Sequence, residues 1–190
     1  MESKKIISII EWAVRINVFL KLCNYGIGKI MNGQFYLKDS IPEAIASTPL
    51  SEVGSYDLAW TFFGHSKSYI LFIGISQIVG ALLFLLPKTK LLGGFILIPI
   101  LLNIIAVDYF FGVAYGALFS ACFYLVSILW VLYLGKNQVF DAIKKLLPVR
   151  KREFLPLKGK IWTVLGVLSI LGILFVIEFW GIGYFGYEDR

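Results

Sequence analysis

Two uncharged apolar runs, 69–86 and 91–107, are separated by only four residues, Pro87-Lys88-Thr89-Lys90. The first has 18 residues. As a helix it would be roughly 27 Å long, about the hydrocarbon thickness of a bilayer. The spacing predicts a transmembrane helical hairpin with a tight basic turn. Composition agrees: 58% of the 190 residues are hydrophobic, only 16% are charged, and the mean hydropathy is +0.80. A soluble domain of this length cannot bury so much apolar surface, so a lipid bilayer is the expected partner.

Three more spans are expected around the hairpin. The run 6–31 carries Glu11, Arg15, Asn17, Lys21, Asn24 and Lys29 and is the most polar of them. The run 114–134 follows a short turn near 109–113, and the run 161–180 lies beyond a basic segment. The fold class is therefore all-α, a polytopic membrane helix bundle. Its expected parts are a four-helix core over 1–135, a basic cytoplasmic linker over 136–160 with an amphipathic helix at 139–147, and a fifth helix with a short tail over 161–190. Pro99 predicts a kink or local loosening in the third span. Gly112, Gly116 and Ser120 repeat at four-residue spacing, a face suited to close helix contact.

The longest polar segment, 32–68, is expected to hold two short helices. One spans 41–47, opened by a capping box at Ser40-Ile41-Pro42-Glu43, and the other 57–63. Orientation follows from the basic residues. Lys4, Lys5, Lys88, Lys90 and the basic residues of 135–160 share one side if there are five spans. That side is the cytoplasm, so the N-terminus is inside, the segment 32–68 outside and the C-terminus outside. Trp12, Trp130 and Trp162 then mark inner helix ends, and Trp60 and Trp180 outer ones, as an aromatic belt requires. The expected location is the cell (inner) membrane. The net charge of +6 belongs to this asymmetry and not to nucleic-acid binding.

Chemistry-bearing residues concentrate in the first span. At 100° per residue, Asn17, Lys21, Asn24 and Gly28 form one stripe, and Glu11, Arg15 and Lys29 another. Glu11 and Arg15 are spaced to pair. Arg15 reaches the inner headgroups by snorkelling or is held by its pair. Lys29 snorkels outward or meets Asp108 or Glu178. Lys21 lies roughly 14 Å past Trp12, where an unpartnered lysine costs about 2.5–3.5 kcal/mol on insertion scales. Its partners by depth are Gln77 and Asn103. Two readings follow: a ligand pocket of Asn17, Lys21, Asn24, Gln77 and Asn103 for a small anion, a quinone carbonyl or a lipid headgroup, or interhelical hydrogen bonds that only hold the bundle together.

Cys23 and Cys122 fall at equal depth, which permits a thiol pair; otherwise each is a small buried hydrophobe. Two cysteines and the single His65 exclude a disulfide framework, a cysteine-rich metal site and a haem held by two histidines of this chain. No iron–sulfur cluster and no other metal is expected. The chain has no nucleophile elbow, phosphate loop, HExxH motif or paired catalytic carboxylates, so no catalytic residue is assigned and no independent activity is expected.

Arg15, Gly26 and Gly28-Lys29, with the stretch LAWTFFGHSKSYILFIGISQIVGALLFLLPKTKLLGGFILIPILLNIIAVD, resemble the first three helices of DoxX-like membrane proteins. The resemblance covers about residues 10–135. The chain departs at Gln77, where such proteins often carry a glutamate, and in its fifth span and basic linker. The resemblance implies a small membrane subunit; some such proteins accompany thiosulfate–quinone or other oxidoreductases, and mammalian relatives include cargo receptors of the early secretory pathway. With the polar pocket, the first reading is an accessory or quinone- or lipid-contacting subunit of a membrane oxidoreductase system. The alternatives are a binding or assembly protein that docks an envelope or membrane partner through 32–68, a homo-oligomer, and, ranked last, a small-solute carrier, since no inverted repeat is visible.

Overall fold

A computed structural model describes residues 2–147 and 157–185. The described chain is helical, with no strand among the described residues. The order is α1 (Glu2–Ile30), α2 (Glu43–Ala46), α3 (Ser55–Gly64), α4 (Lys67–Leu85), α5 (Lys90–Phe110), α6 (Tyr115–Leu134), α7 (Lys136–Leu146) and α8 (Leu157–Phe185). Three of these, α4, α5 and α6, are long and apolar enough to cross a membrane. The chain divides into two units, Met1–Leu146 and Leu147–Arg190. In the second, α8 presents large exposed apolar side chains on all sides of 164–180, as expected for a helix made to be surrounded by apolar material. The middle of the basic linker, 148–156, and the acidic end of the tail, 186–190, lie outside the described residues.

The helix ends follow local chemistry. Glu2 and Lys29 sit in the first and last turns of α1, each complementing the helix dipole. The Ser66 hydroxyl accepts a hydrogen bond from the Tyr69 backbone N–H at 3.3 Å and caps α4. Leu86 is extended (φ −72°, ψ 132°) because the following Pro87 disfavours helix at that position, and α4 stops there. Helix α5 runs unbroken through Pro99. It ends before Gly112, whose φ of +68° is the left-handed conformation that glycine adopts without strain.

In the first unit α1 packs on α4, α4 on α5 and α5 on α6, and α1 also meets α6, closing a four-helix ring. Val18, Leu22, Ala81, Phe84, Leu97 and Ile128 are among the residues at its centre. The buried face of α1 is Arg15, Val18, Leu22, Gly26 and Lys29, a run of three- and four-residue steps. Helices α1 and α4 approach at Gly26 and Gly74. A Cβ on either glycine would lie 3.0 Å from the other's carbonyl oxygen, so only glycine allows this spacing. A smaller cluster of Phe35, Ala59, Trp60 and Ile70 seats α3 and the preceding loop against α4. Tyr36 ties this loop down by donating to Asp57 Oδ1 at 3.1 Å. Burial, with Asp57 alongside, pushes the Tyr36 phenol above its ordinary value, so it remains a protonated donor at neutral pH.

Three local expectations are corrected here. The capping box does not form: α2 starts at Glu43 with Pro42 as its N-cap, which leaves Ser40 outside the helix and gives the cap no side-chain oxygen. The spacing of Gly112, Gly116 and Ser120 does not mark a close contact. Gly112 lies in the turn, a Cβ on Gly116 would meet nothing within 4 Å, and Ser120 donates back to the Gly116 carbonyl at 2.8 Å. Nor does Arg15 snorkel. It is 2% exposed and donates to the carbonyl oxygens of Phe84 and Leu85, two of the carbonyls that every helix C-terminus leaves without partners. Its expected partner Glu11 lies 3.5 Å away and also holds Lys90 at 2.6 Å. The start of α1 and the α4–α5 turn are thereby bound together at one end of the bundle.

Candidate functional site

The opposite end of the bundle holds the other buried charges. Lys29 is carried into the interior by the last turn of α1, on the same face as Gly26, and is only 7% exposed. Its ammonium donates to Gln77 Oε1 at 3.0 Å. Gln77, 1% exposed, donates in turn through Nε2 to the Leu22 carbonyl at 3.1 Å. Both ends of the amide are thus used, and its orientation follows from its partners. Asp108, near the end of α5, is 8% exposed. It acts on Lys29 electrostatically. Its carboxylate makes no hydrogen bond and no direct ion pair among the described residues.

These three side chains stand between two cavities. The larger, about 650 Å³, has apolar walls that include Phe63, Phe72, Ile96, Pro99 and Ile100, with Ser76, Asn103 and Gln34 as further polar points. The smaller, about 140 Å³, lies toward α6 and is lined by Tyr25, Ser120 and Tyr124 among others. Lys29, Gln77 and Asp108 line both. A large apolar chamber with a few converging polar groups suits a small amphiphilic molecule. A third hollow, beside α3, is lined by Leu50, Leu58, Thr61, Phe62, His65, Ser66 and Tyr69.

Gln77 and Asn103 line one cavity, and Lys29 instead of Lys21 lines it with them; Asn103 is exposed. Asn17, Lys21 and Asn24 are exposed. Arg15, Val18, Leu22, Gly26 and Lys29 set the inward face, and the other stripe falls roughly 100–160° round the helix from it. The pocket expected at Lys21 is therefore corrected to one at Lys29. Lys29 does not snorkel and makes no direct ion pair with Asp108, which lines the same two cavities. Glu178 belongs to α8, in the other unit, and is exposed there. Cys23 and Cys122 are both free and part-buried, and Cys23 packs against the core, so no bond joins them.

No protein-family model matches the chain. No solved structure matches it either. It is 34% identical, over 129 residues, to the "Uncharacterized protein YwoB" of Bacillus subtilis (strain 168). That match spans 68% of this chain and 78% of the relative. With its fold and buried polar cluster described, the chain belongs to the family of YwoB.

Proposed function

We propose that the chain is a membrane protein whose cavity beside Lys29 and Gln77 takes the polar head of a quinone or lipid, and that it serves as an accessory subunit of a membrane oxidoreductase system. The observation that carries this reading is the chamber of about 650 Å³ with apolar walls and a hydrogen-bonded Lys29–Gln77 pair at its edge. The resemblance of the Arg15–Gly26–Lys29 helix to DoxX-like proteins supports the accessory role. The test is thermal unfolding of the full chain in detergent with decylubiquinone or dioctanoyl phosphatidylethanolamine. Ligand at a hundred times its Kd stabilises by about 2.7 kcal/mol, about 5–10 °C for a chain of this size. The parent is expected to show such a shift with one of the probes. Ile100→Trp, which fills the cavity, is expected to lose it. Equal shifts in parent and variant would overturn the reading.

The same proposal includes five spans with the N-terminus inside and the C-terminus outside. Support comes from the contact of Glu11 with Lys90, which gathers Lys4, Lys5, Lys88 and Lys90 toward one end, and from the apolar girth of α8. With Cys23 and Cys122 replaced by alanine, Ser51→Cys and Arg190→Cys are expected to react with an impermeant maleimide in intact cells. Lys88→Cys is expected to react only after permeabilisation. Labelling of Lys88→Cys in intact cells would refute this topology.

A further inference from the structure

We infer that Lys29 and Asp108 together select the headgroup, and that the site takes a head of zero net charge carrying both a hydrogen-bond donor and an acceptor. This rests on the cavity reading above and narrows it to a chemical class. Two opposite charges, on residues 7% and 8% exposed, line the same two cavities without touching each other. The Lys29 ammonium has three N–H donors, and one is used by Gln77. Asp108, a residue only 8% exposed, lines both cavities, and its carboxylate has no donor among the described residues. A carboxylate that faces a largely apolar cavity without a donor from the protein gains from a guest that supplies one. A bound group that accepts from Lys29 and donates to Asp108 satisfies both.

Charge balance sharpens the class. A monoanionic head gains Lys29 but must be desolvated beside Asp108, and a monocation meets the converse penalty. A neutral head meets neither. The conclusion does not depend on where the proton between the two residues sits. Moving it from Lys29 to Asp108 leaves the pair net neutral and still offers one donor and one acceptor. Gln77 is a positioning residue here, since it holds the lysine from α4 while its own amide is bound to Leu22. Two sources offer this chemistry, a reduced quinone with its hydroxyls and a zwitterionic lipid with its ammonium and phosphate.

The experiment measures binding of three probes to the full chain in detergent: decylubiquinol, dioctanoyl phosphatidylethanolamine and dioctanoyl phosphatidylglycerol. One of the two neutral heads is expected to bind about tenfold or more tighter than the anionic one, the scale of a charged hydrogen bond gained or lost. Which of the two does so identifies the source. Asp108→Asn raises the charge of the site by one and is expected to move phosphatidylglycerol up by about tenfold, reversing or erasing the ranking. The parent ranking decides the matter even if the variant does not fold. Phosphatidylglycerol binding the parent as tightly as the neutral probes, with Ile100→Trp blocking all three, would overturn the inference and leave the cavity reading standing. Failure of all three probes to bind the parent, or binding untouched by Ile100→Trp, would remove both.

Discussion

Replacing Lys29 with methionine is expected to cost about 1–3 kcal/mol of stability, the range for leaving a buried hydrogen-bond partner unsatisfied. The loss has two parts. Gln77 Oε1 gives up its donor, and the Asp108 carboxylate keeps its burial without the positive charge that offsets it. Lys21→Met is the matched control: the same substitution on the same helix, eight residues earlier. Lys21 is exposed, so its removal is expected to change stability by less than about 1 kcal/mol or to increase it, since no buried partner is abandoned. Reversible unfolding in mixed micelles compares the two directly. Equal losses would show that Lys29 is not the residue on which the buried cluster depends.

Gly93→Ala is expected to have a comparable effect for a different reason. Gly93 opens α5 directly against the end of α4, and a Cβ there would overlap the backbone nitrogen of Phe84. Backbone cannot swing aside as a side-chain tip can, so the two helices must separate. Overpacking of this kind costs about 1–3 kcal/mol and occasionally more. The shift would also reach Arg15, whose guanidinium is hydrogen-bonded to the Phe84 and Leu85 carbonyls. Gly116→Ala is the contrast. Its Cβ would meet nothing within 4 Å, and alanine is the better helix former by about 1 kcal/mol. Unfolding midpoints that fall for Gly93→Ala and hold or rise for Gly116→Ala are expected; the same fall in both would contradict this account of the hairpin.

The hairpin of α4 and α5 was legible because length and lack of charge are properties of a segment alone. So was the pairing of Glu11 with Arg15, which needs only helical spacing. The facing of α1 was harder to read. Where lipid and protein interior are both apolar, hydrophobic periodicity loses much of its contrast, and a helix with polar residues in two stripes offers two answers. Depth alone favoured Lys21, because a central lysine looks the more expensive. Glycine does not separate the two stripes, since Gly26 lies on one and Gly28 on the other. Only the packing does: Gly26 meets Gly74 of α4, while a Cβ on Gly28 would meet nothing within 4 Å. Asp108 was placed correctly near a helix end, but its lack of a hydrogen bond depends on how α5 and α6 pack, which no single segment records. The capping box at Ser40 was read too early by a proline: Pro42 takes the cap position.

Lys29, Gln77 and Asp108 line both cavities, together with Gln34, Trp60 and Ile104. Rotamer changes are fast compared with the sliding or parting of whole helices. Rotation of those side chains alone would therefore join the two volumes. A guest reaching from one volume into the other then needs side-chain rotation at Lys29, Gln77 and Asp108 and no separation of helices.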